Sequence, residues 1–159
     1  MWRPASALVL VLLMGACGPR PVAIERTPTP GVIVVPTVLP NGHVEIAVQP
    51  HYVLGASARI DVAIITTRGT ITGPLEARVM ATGMGEGGAP SEVLVRRLVV
   101  TTARITAGGR ATTSMTWNGE DESGARVPAD AYVLVLDFES DDSGTMRTVR
   151  ATATLQMND

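Results

Sequence analysis

The side chains able to do chemistry in this chain are few, and their spacing limits what that chemistry could be. His43 and His51 are its two histidines and Cys17 is its single cysteine. Nucleophilic catalysis needs a base beside an activated Ser, Thr or Cys. Neither histidine flanks a G-x-S-x-G elbow, and both border the same alternating apolar run, so they read as exposed strand-end residues. Gly83-Met84-Gly85-Glu86-Gly87-Gly88 has the glycine density of a phosphate-cradling loop. It lacks the Gly-Lys-Ser/Thr and the helix N-terminus that would hold an anion, so a flexible hairpin loop is expected. The acidic residues are the sharper case. Glu120, Asp121, Glu122 and Asp130 fall in one expected loop, and Glu139, Asp141 and Asp142 in another. Both offer hard oxygen ligands suited to calcium. A strand over 131–138, at about 3.3 Å per residue, would hold the two groups some 25 Å apart, too far to share an ion. Neither loop has EF-hand spacing, so both read as solvated turns, with a calcium site in the first as the alternative. No catalytic residue, metal, cofactor or small-molecule substrate is expected, and the chain reads as not an enzyme.

Cys17 has a different context. Arg3 precedes an apolar run from Ala5 to Met14, and the small residues Gly15 and Ala16 stand immediately before the cysteine. The run has about ten to twelve residues, against the roughly 20 needed to span a bilayer, so it has the length of a signal peptide's apolar core. Leu13-Met14-Gly15-Ala16-Cys17 resembles the lipobox of bacterial lipoproteins. The resemblance implies that residues 1–16 are removed and that Cys17 becomes an acylated N-terminus, so that the membrane is the first partner through a lipid anchor. Acylation would also use a thiol that has no disulfide partner within the chain. Gly18 stands where Asp would retain such a protein in the inner membrane, which implies the outer membrane, on its periplasmic face.

The elements that would carry these residues follow from composition. From Cys17 onward there are 143 residues, enough for one domain and a tether, with 12 Arg against 15 acidic residues and a net charge of −3. That balance supplies no electrostatic reason to bind nucleic acid. Pro19, Pro21, Pro28, Pro30, Pro36 and Pro40 punctuate the stretch before Asn41, which reads as an extended linker over 17–42. Within it, Val32-Ile33-Val34-Val35 is apolar enough to be a first strand, and both readings stay open at this point.

From residue 43 to 159 the period is two. Val44, Ile46 and Val48 alternate with polar or small neighbours, as do Ile60, Val62 and Ile64, and Leu75, Ala77, Val79 and Ala81. Runs over 93–104 and 110–117 flank Ala107-Gly108-Gly109, a turn signal. Tyr132 to Phe138 and Thr148 to Met157 complete the set. Seven antiparallel strands predict an all-β, immunoglobulin-like β-sandwich, with a small closed barrel as the alternative. The long Gly-rich stretch from Gly83 to Glu92 is expected to be a loop available for contact.

One segment carries a family resemblance. Trp117, Asn118, Gly119, Asp121, Gly124, Val127, Pro128 and Tyr132 are spaced like the W-D-G-x-D-x-x-G-x-x-V-P-x-G-x-Y signature of the Ig-like domain of the flagellar hook-capping protein. Val95-Arg96-Arg97-Leu98 and Ala107-Gly108-Gly109 match that family's upstream strand and turn, so the likeness spans roughly residues 58–138. It departs at Asn118, where Asp is commoner, and at Asp130, where Gly is usual; left-handed backbone at Asp130 would carry some strain. The resemblance implies a fold rather than a function, since a similar ending occurs in a small bacterial proteinase inhibitor. The expectation is a non-catalytic, membrane-anchored lipoprotein acting as an interaction or structural module in the cell envelope, with an unidentified protein partner. An exported proteinase inhibitor is the alternative from another class, and a calcium-binding or enzymatic domain comes after it.

Overall fold

The computed structural model describes residues 31–84 and 90–159. Ten strands follow one another: β1 (Ile33–Leu39), β2 (Gly42–Val48), β3 (Tyr52–Val53), β4 (Ala58–Thr66), β5 (Thr70–Met84), β6 (Pro90–Leu98), β7 (Ala103–Thr106), β8 (Arg110–Trp117), β9 (Ala131–Asp142) and β10 (Thr145–Asn158). They form a four-stranded sheet ordered β1-β2-β4-β8 and a six-stranded sheet ordered β3-β10-β9-β5-β6, with β7 also pairing β5. All pairings are antiparallel except the short β3–β10 ladder. The molecule is an immunoglobulin-like β-sandwich, as the alternating pattern predicts.

Alternation decides the core. On the four-stranded sheet Val44, Ile46, Val48, Ile60, Val62 and Ile64 are buried, and on the other Leu134, Leu136, Phe138, Ala151, Ala153 and Leu155 are buried. Residues between them point outward, so a one-residue slip would expose the whole set. Burying a Val, Leu, Ile or Phe side chain contributes about 1.5 to 3 kcal/mol, and with a single Phe in the chain aliphatic residues supply most of it.

The structure settles or departs from the sequence reading at three places. The apolar part of the expected 17–42 linker is strand β1, paired along its length with β2 from Ile33↔Val48 to Leu39↔Gly42, so the sheet begins ten residues before residue 43. β3 is only two residues long and has no period to detect. The single run expected over 93–104 breaks at Val99 into β6 and β7, which pair with different parts of β5. The Gly83–Glu92 loop is also shorter than expected. Gly83 pairs with Ser91 and Met84 with Pro90, so only residues 85–89 separate the strands, and these lie outside the described residues. Leu75, placed on the inward row by alternation, is exposed because the β5–β9 register shifts between Thr72 and Glu76.

One buried polar side chain joins the sheets. Asn41, in the β1–β2 turn, is fully buried; its Nδ2 donates to Thr70 O (2.9 Å) and Asp141 O (3.2 Å), and its Oδ1 accepts from Ser140 Oγ (2.7 Å). Its own carbonyl accepts from Thr67 N at 2.9 Å. Beside it, Gly42 is required because a Cβ there would lie 2.1 Å from Ile65 O. Asn41→Ala would strand the Ser140 hydroxyl and two carbonyls, and should cost about 2 to 4 kcal/mol in urea unfolding; a loss under about 0.5 kcal/mol would remove this joint from the account.

Candidate functional site

The residues of the resemblance come together as the connector between β8 and β9, residues 118–130. It is built around Trp117, at the end of β8, and Tyr132, at the start of β9. Trp117 is 1% exposed, and its ring meets Tyr132 edge-on at 5.1 Å between centroids and 70° between planes. Each ring also satisfies its polar atom. Trp117 Nε1 donates to Glu120 O (2.9 Å), and the Tyr132 hydroxyl donates to Pro128 O (2.9 Å), so each fixes one end of the connector. A tyrosine at the start of a strand bonding back to the chain just upstream is the corner typical of this sandwich class.

Between these anchors the backbone closes on itself. Val127 is buried and its amide donates to Gly119 O, while Asp121 N donates to Ala125 O and Gly124 N to Asp121 O. Gly119 has φ +70°, and a Cβ there would lie 3.3 Å from Met157 Cε, so glycine meets both a backbone and a packing need. Asp121 Oδ1 accepts from Ser123 N (2.8 Å), Ser123 Oγ (2.7 Å) and Ala125 N (3.0 Å). The Ser123 hydroxyl and then these amides hold its carboxyl below the ordinary aspartate range. Asn118 bonds the Glu120 carboxylate rather than an amide.

The expected strain at Asp130 is absent. Ser143 is the only non-glycine with positive φ among the described residues, so Asp130 does not need the left-handed backbone that glycine would permit. Its carbonyl accepts from Met157 N instead, tying the connector to β10.

The acidic residues do not converge. In the connector, Glu122 accepts from Arg97 N (2.7 Å), Glu120 from Asn118, and Asp130 from Ala131 N. Glu139, Asp141 and Asp142 lie within β9 rather than in a loop, since the strand runs on to a two-residue turn in which Ser143 and Gly144 both have positive φ. Asp142 pairs with Arg68 at 2.8 Å and Asp141 accepts from Gly144 N. Among the described residues no three His, Cys, Asp or Glu side chains are grouped to hold a metal. His43 is half-exposed on β2, 3.4 Å from Glu45, and His51 is exposed before β3. Cys17 lies outside the described residues.

The connector also touches β6, at the margin of the six-stranded sheet, a role its sequence did not disclose. Glu122 N donates to Val95 O, its carboxylate takes Arg97 N, and Arg96 Nη1 donates to Asp121 O. These bonds occupy two backbone groups of β6, Val95 O and Arg97 N. Beyond them, between β6 and β8, lies an open groove of about 510 Å³ bordered by Arg96, Arg97, Val99, Ser114 and Thr116.

No protein family matches the chain, and no curated protein matches it. Similar solved structures include the ASH/PapD-like domain of human CEP192, at 14% identity and a TM-score of 0.42, covering 77% of this chain and 90% of that one. A β-glucosidase from Listeria innocua is 13% identical over 73% of this chain but only 16% of the enzyme, with a TM-score of 0.44. AggA, the major subunit of aggregative adherence fimbriae type I from Escherichia coli, is 10% identical over 72% of this chain and 92% of that chain, with a TM-score of 0.38.

Three measurements test this geometry. Trp117→Ala should cost about 3 to 5 kcal/mol in urea unfolding, and Tyr132→Phe, which leaves Pro128 O without its donor, about 1 to 2 kcal/mol. Values under 1 kcal/mol for the first would place the ring at the surface. The Asp121 carboxyl, followed by NMR, should titrate below the ordinary aspartate value. Its contribution to stability is then present above the unfolded pKa and disappears as pH falls through the lower folded one. Burial raises the pKa of Tyr52 and Tyr132. Their contribution is therefore complete below the ordinary phenol pKa and declines as pH rises through the folded value, and Tyr52→Phe/Tyr132→Phe should flatten the alkaline limb of the stability profile.

Proposed function

We propose that this protein is a non-catalytic lipoprotein, anchored through acylated Cys17 at the periplasmic face of the outer membrane, whose β-sandwich serves as an interaction or structural module of the cell envelope. The observation that carries the reading is Leu13-Met14-Gly15-Ala16-Cys17 after a short apolar run, with the only thiol of the chain at the cleavage position. Several acyl chains, at about 0.8 kcal/mol per buried methylene, hold a domain far better than one chain does. Among the described residues no helix is long and apolar enough to cross a membrane. The polar residues that first invite a chemical role also support it: Asp121, Glu122 and Asp130 each spend a carboxylate oxygen on a backbone amide of the fold.

The mature protein from its native host should begin at Cys17, carry the mass of acyl chains and sediment with membranes. Cys17→Ser should move the protein to the soluble fraction or leave its leader uncut. A soluble native protein with an unmodified thiol would overturn the proposal.

A further inference from the structure

A β-sandwich has margins where unpaired backbone groups invite another strand, and folded proteins block them with proline, charge, bulges or covering loops. In this molecule β1 carries Pro36 at its centre. β6 is bulged opposite Val79/Met80 and covered by Glu122. β10 carries Arg147 and Arg150 and, at its end, pairs with β3. β8 has no proline, bulge or covering backbone. It pairs on one side only, with β4, through an uninterrupted register from Ala58↔Trp117 to Ile65↔Arg110. Over its eight residues it has no proline and one charge, Arg110 at its start. No backbone hydrogen bond reaches it from its other side among the described residues.

The groove lies along the C-terminal half of this open margin, at Ser114 to Thr116. Met115 contributes to it from β8, and Leu98 and Val99 from the opposite margin, where Val99 is 93% exposed. An extended segment entering there would continue the four-stranded sheet, placing alternate side chains toward Leu98 and Met115 and the others beside Thr112, Ser114 and Thr116, which the β4–β8 register puts on the outer face. Charge selects the occupant. Both charged side chains lining the groove are cations, Arg96 and Arg97, and Arg110 adds a third at the end of the strand. Arg97 already pairs with Glu76 (3.3 Å) and Glu122 (4.0 Å), whereas Arg96 bonds a carbonyl, and neither it nor Arg110 has a carboxylate partner among the described residues. A second copy would set cation against cation, whereas a strand bearing Asp or Glu would complement Arg96 and Arg110.

We propose that β8 is a strand-addition site, and that it takes an extended, acidic, alternating segment of a partner protein. The inference rests on the reading of the chain as an interaction module and names the surface by which it acts. The full chain, in its own envelope, would carry a photo-reactive residue at Thr112 or, for comparison, at Thr152 on the outer face of the six-stranded sheet, and adducts would be mapped by mass spectrometry. Thr112 should give an adduct to an extended segment of another protein containing Asp or Glu. Its yield should fall at least tenfold with Arg96→Glu/Arg110→Glu, in a chain whose thermal unfolding shows that it still folds. Adducts from Thr112 to a second copy, to lipid, or to a segment without acidic residues would overturn the proposal, as would a yield unaffected by the charge reversal. A protein adduct at Thr152 alone would sink the strand-addition site and leave the interaction module standing. No protein adduct at either position would sink both.

Discussion

The edge-on contact between Trp117 and Tyr132 is the constraint on which the rest of this structure depends. Two strands that belong to different sheets, β8 and β9, end and begin at these rings, so the pair fixes where the chain crosses the sandwich. Because each ring's polar atom is spent on a connector carbonyl, the rings determine the connector's path as well as the packing beneath it. That path carries Asp121 and Glu122 to β6. The margin of the six-stranded sheet at β6 is thereby partly covered, while that of the four-stranded sheet at β8 is not.

The opposite end is held by different physics. There the β1–β2, β4–β5 and β9–β10 turns approach one another, and a fully buried Asn41 uses its amide for carbonyls of the six-stranded sheet while its backbone carbonyl serves the β4–β5 turn. A buried amide satisfied on every side specifies one arrangement, because any slip of the sheets would leave donors and acceptors unpaired in low dielectric. Aliphatic packing between the faces is less directional, so the sandwich is located at one end by an aromatic pair and at the other by a polar joint.

Acidic residues illustrate how topology removes chemistry that composition advertises. Seven carboxylates in two short stretches could have formed a cation site. The fold instead points six of them at amides or a guanidinium group, and extends β9 through the second group so that alternate residues face opposite sides of the sheet. The lowered pKa of Asp121 follows from the same economy, a carboxylate surrounded by donors of its own turn.

Much of this could be read from residues alone. Alternation in 44–48, 60–64 and 148–157 fixes both the strands and their buried faces, since a period of two admits only one amphipathic solution, and the glycine, proline and aromatic spacing of 117–132 marks a connector with anchored ends. The apolar run before Cys17 likewise defines an expectation about membrane attachment that owes nothing to the fold. Tertiary structure decided what depends on neighbours distant in sequence. That Asn41 is buried rather than a turn-surface residue, that Ile33–Leu39 is a paired strand rather than linker, that the 93–104 run divides between two parts of β5, and that β8 pairs on one side only are all facts about adjacency. Local sequence encodes which side of a strand is apolar. Which strand lies beside it, and whether any does, is set by the packing of the whole chain.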